Sequence, residues 1–363
     1  GASILSDPVV AWLQQWPRIF QQVEEFCTDL KRRKIRGSSG VARVTAEIFR
    51  NLIGNCVQRT TSVGQFIANV RLVARELMAA EPSEVAIGNV ARRVLHIIRD
   101  ELAKRGGRES FGALHSMLDT DESPKADTLM MELKVPVIER VNEFVDELGF
   151  LSTAITEQAH EHIHDNDIIL TYGVSRTILS FMVAAATGKR AKRKPRSFEV
   201  LVCESAPQFT GQELAKSLAA AKIPTTVIAD TAIFAVMPRV TKVLISAHAI
   251  MANGGVIAPN GCHMLALAAK HHAIPMMCVS GLHKLSPVFP FGQDTVNDIL
   301  SPSAVLPFEE LEAPDKVKVV NPAYDYVPPE LVDLFVTDVG GAQPSYIYRL
   351  LAENYSREDY DLH

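Results

Sequence analysis

The segment from Asp167 to Thr187 has the residue types and spacing of an anion-binding turn. A short apolar run ends at Tyr172 and Gly173, and apolar residues then recur at helical intervals after Ser175. This pattern predicts a buried strand, a tight turn and a helix. In α/β domains, ligands bind at the carboxyl ends of strands, where backbone N–H groups of a helix N-terminus face an anion. Residues 171–176 are therefore the predicted ligand site.

Three histidines precede this segment. His160, His162 and His164 alternate along the chain, and the first and last of them share one face of a predicted helix. A metal ion would need further ligands, and the neighbouring acids Glu161 and Asp165 are the only obvious ones. The sequence therefore does not predict a metal site.

Cys262 stands at a predicted helix N-terminus, where the pKa of a thiol can fall and make it a nucleophile. The sequence places no general base beside it, so a packed or capping role is the favoured interpretation. His271 and His272 end the same helix, where they complement its dipole. The chain has neither a GxGxxG nor a Walker A sequence, so no phosphate-binding motif supports nucleotide hydrolysis.

Charged residues are concentrated in three places. Basic runs at residues 31–36 and 189–196 are interpreted as solvated ends of elements, with RNA or a phosphorylated partner as the alternative. An acidic row lies on the helix predicted around residues 135–148. Its members are Glu132, Glu139, Glu143, Asp146 and Glu147. Such a row is usually a solvated face, and the alternative is a contact with a basic loop of a partner.

The composition is that of a globular chain with ample core: 363 residues, of which 47% are hydrophobic and 22% charged. The net charge of −5 argues against a general polyanion-binding role. Five cysteines without CxxC spacing indicate reduced thiols in a cytosolic compartment. Neither a signal peptide nor an apolar run of membrane-spanning length is predicted.

Helical periodicity before Asp167 predicts a helical domain over residues 1–165, with a mobile loop at about 106–127. After Asp167, short β-rich runs alternate with helical segments, which predicts a doubly wound parallel sheet over residues 166–363. The later predicted strands are Glu199–Cys203, Thr225–Ala229, Lys242–Ser246 and Pro275–Val279. The tail is predicted to contain an extended run at Val317–Val320, a rigid turn at Asn321–Pro329 and a helix at Pro344–Tyr355.

Several segments together resemble one protein family. The most specific are NPAYDYVPPE at residues 321–330 and ALAAKHH at residues 266–272, and GGAQPSYIYRLL near the C-terminus agrees with them. Over essentially its whole length, the chain resembles the regulatory alpha, beta and delta subunits of the guanine-nucleotide exchange factor for eukaryotic translation initiation factor 2. Within that family the beta subunits are the most similar.

This resemblance implies a helical N-terminal domain, a Rossmann-like oligomerisation domain, and a non-catalytic regulatory role without a cofactor. The implied partners are the alpha, delta, gamma and epsilon subunits of a cytoplasmic decamer, and initiation factor 2 with its phosphorylated alpha subunit. Neither a membrane nor a nucleic acid partner is implied. The acidic row, with Glu139, Glu143, Asp146 and Glu147 at its centre, is the candidate contact for the basic loop around the partner's phosphoserine.

A connector between predicted elements is unusually apolar for an exposed segment. Its apolar residues are Ile233, Phe234, Val236 and Met237. If the chain assembles as the resemblance implies, part of this surface is expected to be covered by another subunit.

The same family resembles two sugar-phosphate aldose–ketose isomerases, which act on methylthioribose 1-phosphate and on ribose 1,5-bisphosphate. Where these enzymes have Thr-His-Cys with a catalytic thiol, this chain has Thr171, Tyr172 and Gly173. Their catalytic Asp corresponds to His248, and their phosphate-clamping Arg corresponds to Ala206. Because proton transfer between sugar carbons needs a placed acid and base, the resemblance implies a vestigial pocket. Its residues are Thr171, Gly173, Ser175, Ala206 and His248.

Two other functions stay open from the sequence. The chain could be an isomerase that uses His248 as its base. It could also be a ligand-sensing module in which the backbone amides of residues 173–175 bind a nucleotide or a sugar phosphate.

Overall fold

The computed structural model describes residues 5–32, 34–35, 37–56, 63–105, 124–188, 194–290, 297–310 and 316–362. The chain forms two compact units. The helical unit comprises Gly1–Phe150 and Leu350–His363, and the sheet unit comprises Leu151–Arg349. The chain therefore passes from one unit to the other twice.

This division differs from the predicted ranges of 1–165 and 166–363 in two places. Residues between 151 and 165 belong to the sheet unit because Ile155 and Ile163 are part of its hydrophobic core. The C-terminal segment, residues 350–362, belongs to the helical unit, where the side chain of Asp359 is fully buried. No local pattern predicts this return, because the segment is short and rich in charge.

Amphipathic helices build the helical unit. They are α1 Asp7–Leu13, α2 Pro17–Lys31, α3 Ser38–Cys56, α4 Val63–Ala80, α5 Val85–Arg105 and α6 Pro124–Glu157, of which the part from Leu151 onward belongs to the sheet unit. Along α5, Ile87, Val90, Val94 and Ile97 are buried at intervals of three or four residues. This spacing is that of a helix whose apolar stripe faces a core.

Helix α6 begins earlier than the sequence predicted. Most of the predicted mobile loop, residues 106–123, lies outside the described residues, but residues 124–127 form the first turn of α6 instead of a loop. Pro124 fits this position because the first turn needs no N–H donor. Pro136 lies inside the helix, and a proline there usually ends one. This explains why the helical pattern was recognised only from Val135 onward.

Two sheets form the sheet unit. Its strands are β1 Ile168–Tyr172, β2 Glu199–Cys203, β3 Thr225–Ile228, β4 Lys242–Ile245, β5 Ala249–Ile250, β6 Val256–Pro259, β7 Met276–Val279, β8 Tyr324–Val327, β9 Leu334–Thr337 and β10 Gly340–Ala342. The larger sheet has the order β10-β9-β7-β4-β1-β2-β3 and is parallel except for the β9–β10 pair. The smaller, antiparallel sheet has the order β5-β6-β8. The predicted fold class is confirmed.

The remaining α-helices precede, connect and follow these strands. They are α7 Ala159–His162, α8 Arg176–Thr187, α9 Thr210–Ala220, α10 Ile233–Val236, α11 Cys262–His271 and α12 Ile347–Asn354. No regular strand forms at residues 317–320, whereas β8 lies inside the segment that was predicted as a rigid turn. Among the helices that the structure describes, none combines the length and hydrophobicity that a membrane span requires.

Strand β1 lies at the centre of the larger sheet. It pairs in parallel with β2 on one side and with β4 on the other. The chain runs outward through β2 to β3 and then returns to β4, so the strand order reverses at β1. Open α/β sheets bind ligands at the carboxyl end of such a reversal. The predicted site after β1 therefore occupies the position where a ligand would be expected.

Candidate functional site

The turn after β1 has the predicted conformation, and two of its polar groups are already hydrogen-bonded within the chain. Gly173 has φ +68°, a left-handed conformation that favours glycine. Its N–H donates to Ser205 Oγ at 2.8 Å. Ser175 is the N-cap of α8, and its Oγ accepts from the N–H of Ile178 at 3.3 Å. The Gly173 amide, one of those that the sequence assigned to an anion, is thus hydrogen-bonded to a serine side chain.

A carboxylate of the chain itself occupies the neighbouring turn. Asp230 Oδ1 accepts from the N–H of Ser205 at 3.0 Å, and Oδ2 accepts from the N–H of Ala206 at 2.8 Å. The hydroxyl of Tyr172 also donates to Oδ2, at 3.1 Å. The sequence resemblance predicts that Ala206 stands in place of the phosphate-clamping Arg of the isomerases. The N–H of Ala206 faces the Asp230 carboxylate, which sits where a bound anion would accept these hydrogen bonds.

A second carboxylate caps helix α11. Asp325 Oδ2 accepts from the N–H of Gly261 at 2.7 Å and from the N–H of His263 at 3.1 Å. A helix N-terminus attracts an anion because its first N–H groups lack helical partners and the helix dipole is positive there. Asp325, from the NPAYDYVPPE segment, supplies that negative charge from within the chain.

Tyr172 and Gly261 pack against each other between these two carboxylates. Gly261 has φ +104°, and a Cβ atom placed on it would lie 2.2 Å from the Tyr172 hydroxyl. Burial, and next the negative charge of Asp230, raise the pKa of the Tyr172 phenol, so it stays protonated and donates. The Tyr172 ring occupies the space beside Gly261 that a side chain there would otherwise fill.

Cys262 follows Gly261 but is not a nucleophile in this structure. Its side chain is fully buried, and burial followed by the charge of Asp325 raises the pKa of its thiol well above the usual range. The thiol therefore stays protonated, since only a lowered pKa would give reactive thiolate. The packed role that the sequence favoured agrees with this environment.

We expect the buried cysteines to resist alkylation while the protein is folded. Burial also raises the pKa of Cys203, of Cys278 to about 12 and of Cys27 to about 11. At pH 8, iodoacetamide should leave these three residues and Cys262 unmodified, as shown by peptide mass spectrometry. In guanidinium chloride all four should react. Rapid alkylation of Cys262 in the folded protein would contradict its protonated, inaccessible state.

His248 and Thr171, the other two residues of the predicted pocket, have different surroundings. The imidazole of His248 is stacked on the ring of Tyr324, with centroids 4.2 Å apart and planes 18° from parallel. Thr171 is buried in β1, and its Oγ1 has no hydrogen-bond partner within the described residues. The structure thus connects Gly173 to Ala206 through Ser205.

Each of the three alternating histidines has a local partner. His160 Nε2 lies 3.1 Å from the carbonyl of Lys194, and the ring of His162 is stacked on Phe181 at 6.3 Å. His164 Nδ1 lies 3.4 Å from Lys242 Nζ. Within the part of the chain that the structure describes, no group of three His, Cys, Asp or Glu side chains is arranged to hold a metal ion.

The acidic row lies on the solvent-exposed face of α6. All five of its side chains are exposed, and Glu143 Oε2 is 3.7 Å from Arg140 Nε. Two apolar residues on the same helix are also exposed, Val135 by 60% and Phe150 by 66%. A face that combines negative charge with apolar side chains can contact a partner of opposite charge.

The apolar connector is only partly exposed. Ile233 and Met237 are buried within the chain, whereas Phe234 is 49% exposed. Its ring lies 6.0 Å from that of His271, and on the neighbouring helix α11 Met264 and Leu267 are exposed as well. The free apolar surface therefore consists of fewer connector residues than the sequence suggested, but it continues onto α11.

Each of the two basic runs lies only partly within the described residues. Residues 33, 36 and 189–193 lie outside the described residues. In the first run, Lys34 Nζ is 2.7 Å from Asp29 Oδ1, an exposed pair that agrees with a solvated helix end.

Sequence analysis missed Asp230 and Asp325 as residues of the site. Each carboxylate acts on amides far away in the sequence, so neither spacing nor periodicity indicated its role. Asp325 could have been noticed because it lies in the most specific segment of the chain. Asp230 had no comparable signal.

Comparisons with known proteins agree with the fold. A model of the initiation factor 2 subunit family matches residues 34–344. The chain is 39% identical to translation initiation factor eIF2B subunit beta of Dictyostelium discoideum, with 93% of this chain and 95% of the relative covered. It is 35% identical to eIF2B subunit beta of Schizosaccharomyces pombe, with 94% and 97% covered. It is also 28% identical to ribose 1,5-bisphosphate isomerase of Thermococcus kodakarensis, with 93% and 96% covered.

Two solved structures extend this similarity. The crystal structure of eIF2B beta from Chaetomium thermophilum matches with a TM-score of 0.73 at 26% identity, covering 96% of this chain and 97% of the other. A chain of the tetrameric eIF2B-beta2-delta2 complex from C. thermophilum also matches, with a TM-score of 0.68 at 26% identity. The match covers 92% of this chain and 94% of the other.

Proposed function

The chain belongs to the initiation factor 2 subunit family, and we propose that it is a non-catalytic regulatory subunit of the guanine-nucleotide exchange factor eIF2B. Identities of 39% and 35% to eIF2B beta subunits over most of the chain support this assignment. The exchange factor returns initiation factor 2 from its GDP-bound to its GTP-bound form. In this proposal the chain works in the cytoplasm.

The observation that best supports a non-catalytic role is the filling of the site by the chain's own carboxylates. An aldose–ketose isomerase must bind a phosphate and place an acid and a base beside the sugar carbons. Here Asp230 accepts hydrogen bonds from Ser205, Ala206 and Tyr172, and Asp325 caps α11. These carboxylates would repel a substrate phosphate, whereas an isomerase binds the phosphate with positively charged groups. We infer that the site is structural.

The proposed assembly is a decamer with the alpha, delta, gamma and epsilon subunits. The tetrameric beta2-delta2 structure of Chaetomium thermophilum supports a pairing with delta. Exposed Phe234, Met264 and Leu267 would contribute apolar surface to a subunit contact. Light scattering on a sizing column, with the chain alone and with each subunit, measures this directly. A homo-oligomer that ignores all four subunits would argue against the assembly.

We further propose that the acidic row contacts the phosphorylated alpha subunit of initiation factor 2. The variant Glu139→Lys/Glu143→Lys, assembled into the exchange factor, is expected to bind that subunit at least about tenfold more weakly, because it places like charges opposite a basic loop. Biolayer interferometry with phosphorylated and unphosphorylated alpha subunit provides the measurement.

A matched control reverses two exposed acids elsewhere, Glu25→Lys/Glu213→Lys. This control should bind as the unsubstituted protein does. If the variant of the acidic row also binds the phosphorylated subunit unchanged, the row is a solvated face and the contact lies elsewhere.

Because the chain is 28% identical to an isomerase, isomerase activity is a second candidate function. Turnover of ribose 1,5-bisphosphate or methylthioribose 1-phosphate by the purified chain, abolished by His248→Ala, would favour the isomerase. A ligand-sensing role would instead appear as a concentration-dependent rise in melting temperature with sugar phosphates or nucleotides, without turnover. We expect neither result.

A further inference from the structure

A groove on the helical unit places three arginines beside an apolar wall. It follows one face of α4, where lining residues recur at intervals of three or four, and α5 contributes one more residue. The lining residues are Gly64, Ile67, Ala68, Arg71, Leu72, Arg75 and Arg99. The volume of the groove is about 350 Å³, which is the size of a small-ligand site.

The arginines carry more positive charge than the chain neutralises. Arg71 Nη2 lies 2.6 Å from Asp359 Oδ1, and Arg99 Nε lies 2.7 Å from Asp359 Oδ2. One carboxylate is therefore shared by two guanidinium groups. Arg75 is exposed and has no ion pair or hydrogen bond within the described residues. The three side chains and Asp359 together leave an excess of two positive charges.

Donor groups also remain available. A guanidinium has five N–H donors in a planar fork. Arg71 and Arg99 each use Nε and Nη2 on Asp359, and Arg71 Nη2 also donates to the carbonyl of Glu358. These bonds leave Nη1 of both arginines, and the whole fork of Arg75, for an anion. The bound Asp359 carboxylate shows that the guanidinium groups of this groove can bind an oxyanion.

The wall of the groove is suited to an apolar group. Leu72 is half-buried and presents carbon surface to the groove, and Ile67, which is almost fully buried, also lines it. Gly64 and Ala68 are small and leave space between the larger side chains. A bare inorganic ion would leave this surface in water, whereas an attached hydrocarbon chain would cover it.

We propose that this groove binds a small organic anion in which one phosphate monoester or carboxylate is attached to an apolar body. Arg75 anchors the anion, with Nη1 of Arg71 and Arg99 as further donors, and Ile67 and Leu72 contact the apolar body. None of these residues belongs to the acidic row or to the filled site after β1. The proposal therefore does not rest on the proposed regulatory function.

The experiment uses the full chain and simple probes. Hexyl phosphate, hexanol and inorganic phosphate are titrated separately, and binding is followed by saturation-transfer NMR and by the melting temperature. Hexyl phosphate should bind saturably and more tightly than either of the others, because it alone satisfies both the arginines and the wall. Equal affinity for inorganic phosphate, or no saturable binding of hexyl phosphate, would overturn the proposal.

Variants locate the binding. Arg75→Ala should weaken hexyl phosphate binding about tenfold, since a hydrogen-bonded charge is lost. Ala68→Leu should weaken it by filling the groove without removing charge. Arg18→Ala, at an exposed arginine of α2, should have no effect. Both groove positions are solvent-exposed, so the unliganded melting temperatures should be unchanged. Unaltered binding by both groove variants would place the ligand elsewhere and refute the site.

Discussion

The substitution Asp359→Ala is expected to lower the free energy of unfolding of the helical unit by about 3–5 kcal/mol, the cost of removing one partner from a buried ion pair. Asp359 is fully buried and accepts hydrogen bonds from both Arg71 and Arg99. Without the carboxylate, two guanidinium groups lose their counter-charge. The C-terminal segment would also lose its main polar attachment to α4 and α5.

Tryptophan fluorescence during urea unfolding measures this effect selectively. The chain has two tryptophans, Trp12 and Trp16, and both belong to the helical unit. The neighbouring acid provides the control: Glu358 is exposed, and only its backbone carbonyl is used by Arg71, so Glu358→Ala should change stability by less than about 0.5 kcal/mol. Equal stability of the two variants would show that the buried ion pairs contribute nothing.

The C-terminal segment has further contacts that Asp359 organises. His96 Nδ1 lies 2.9 Å from Ser356 Oγ, and Arg92 Nε donates to the carbonyl of Tyr360 at 3.2 Å. Burial lowers the pKa of His96, and the positive charge of Arg93 lowers it further. These weaker contacts involve neutral or backbone groups, whereas Asp359 supplies the negative charge that several basic residues of α4 and α5 require.

Local sequence patterns were sufficient for the strand, turn and helix at the start of the sheet unit. An apolar run followed by Gly173 and Ser175 predicts these elements because a buried strand, a left-handed turn and a helix N-cap each depend on nearby residues. The helical unit was recognised for the same reason. Strands β5, β6, β9 and β10 were not predicted, and β8 was predicted as a rigid turn. Among the described residues, each of these strands follows the preceding strand without an intervening α-helix, so the alternation of strand and helix did not mark it.

The chemistry of the site could not be predicted from the same patterns. The sequence correctly placed the turn at the end of β1, but not the groups that satisfy its amides. Ser205 and Asp230 follow strands β2 and β3, whereas Asp325 lies in strand β8, and their roles depend on how these separate segments pack around β1. An anion-binding turn and one already occupied by an internal carboxylate have the same local sequence. Only the tertiary contacts distinguish them.

The roles of Asp359 and Arg75 also could not be predicted from local sequence patterns. Charged residues on a helix or near a chain end usually indicate a solvated surface. Here Asp359 is fully buried, and Arg75 lines a groove with two other arginines. The distinction depends on the return of the C-terminal segment to the helical unit, which no local pattern encodes.

The substitution Asp230→Ala tests whether an internal carboxylate stands in for a bound anion. It should lower the free energy of unfolding of the sheet unit by about 3 kcal/mol, because the N–H groups of Ser205 and Ala206 and the hydroxyl of Tyr172 lose their acceptor. Asp333→Ala is the matched control, since Asp333 is exposed and its carboxylate accepts from the N–H of Met276. Its cost should be about 1 kcal/mol. Circular dichroism during urea unfolding compares the two.

Rescue by a small anion separates this role from simple loss of packing. Formate or inorganic phosphate can enter the space of the missing carboxylate and accept from the same donors. Either anion should therefore raise the melting temperature of Asp230→Ala by several degrees, at concentrations that leave Asp333→Ala and the unsubstituted protein unchanged. Rescue would mean that the turn keeps an anion-binding geometry and that Asp230 blocks it. If neither anion stabilises Asp230→Ala, the carboxylate only holds the loop after β2 in place, and a vestigial anion site is excluded.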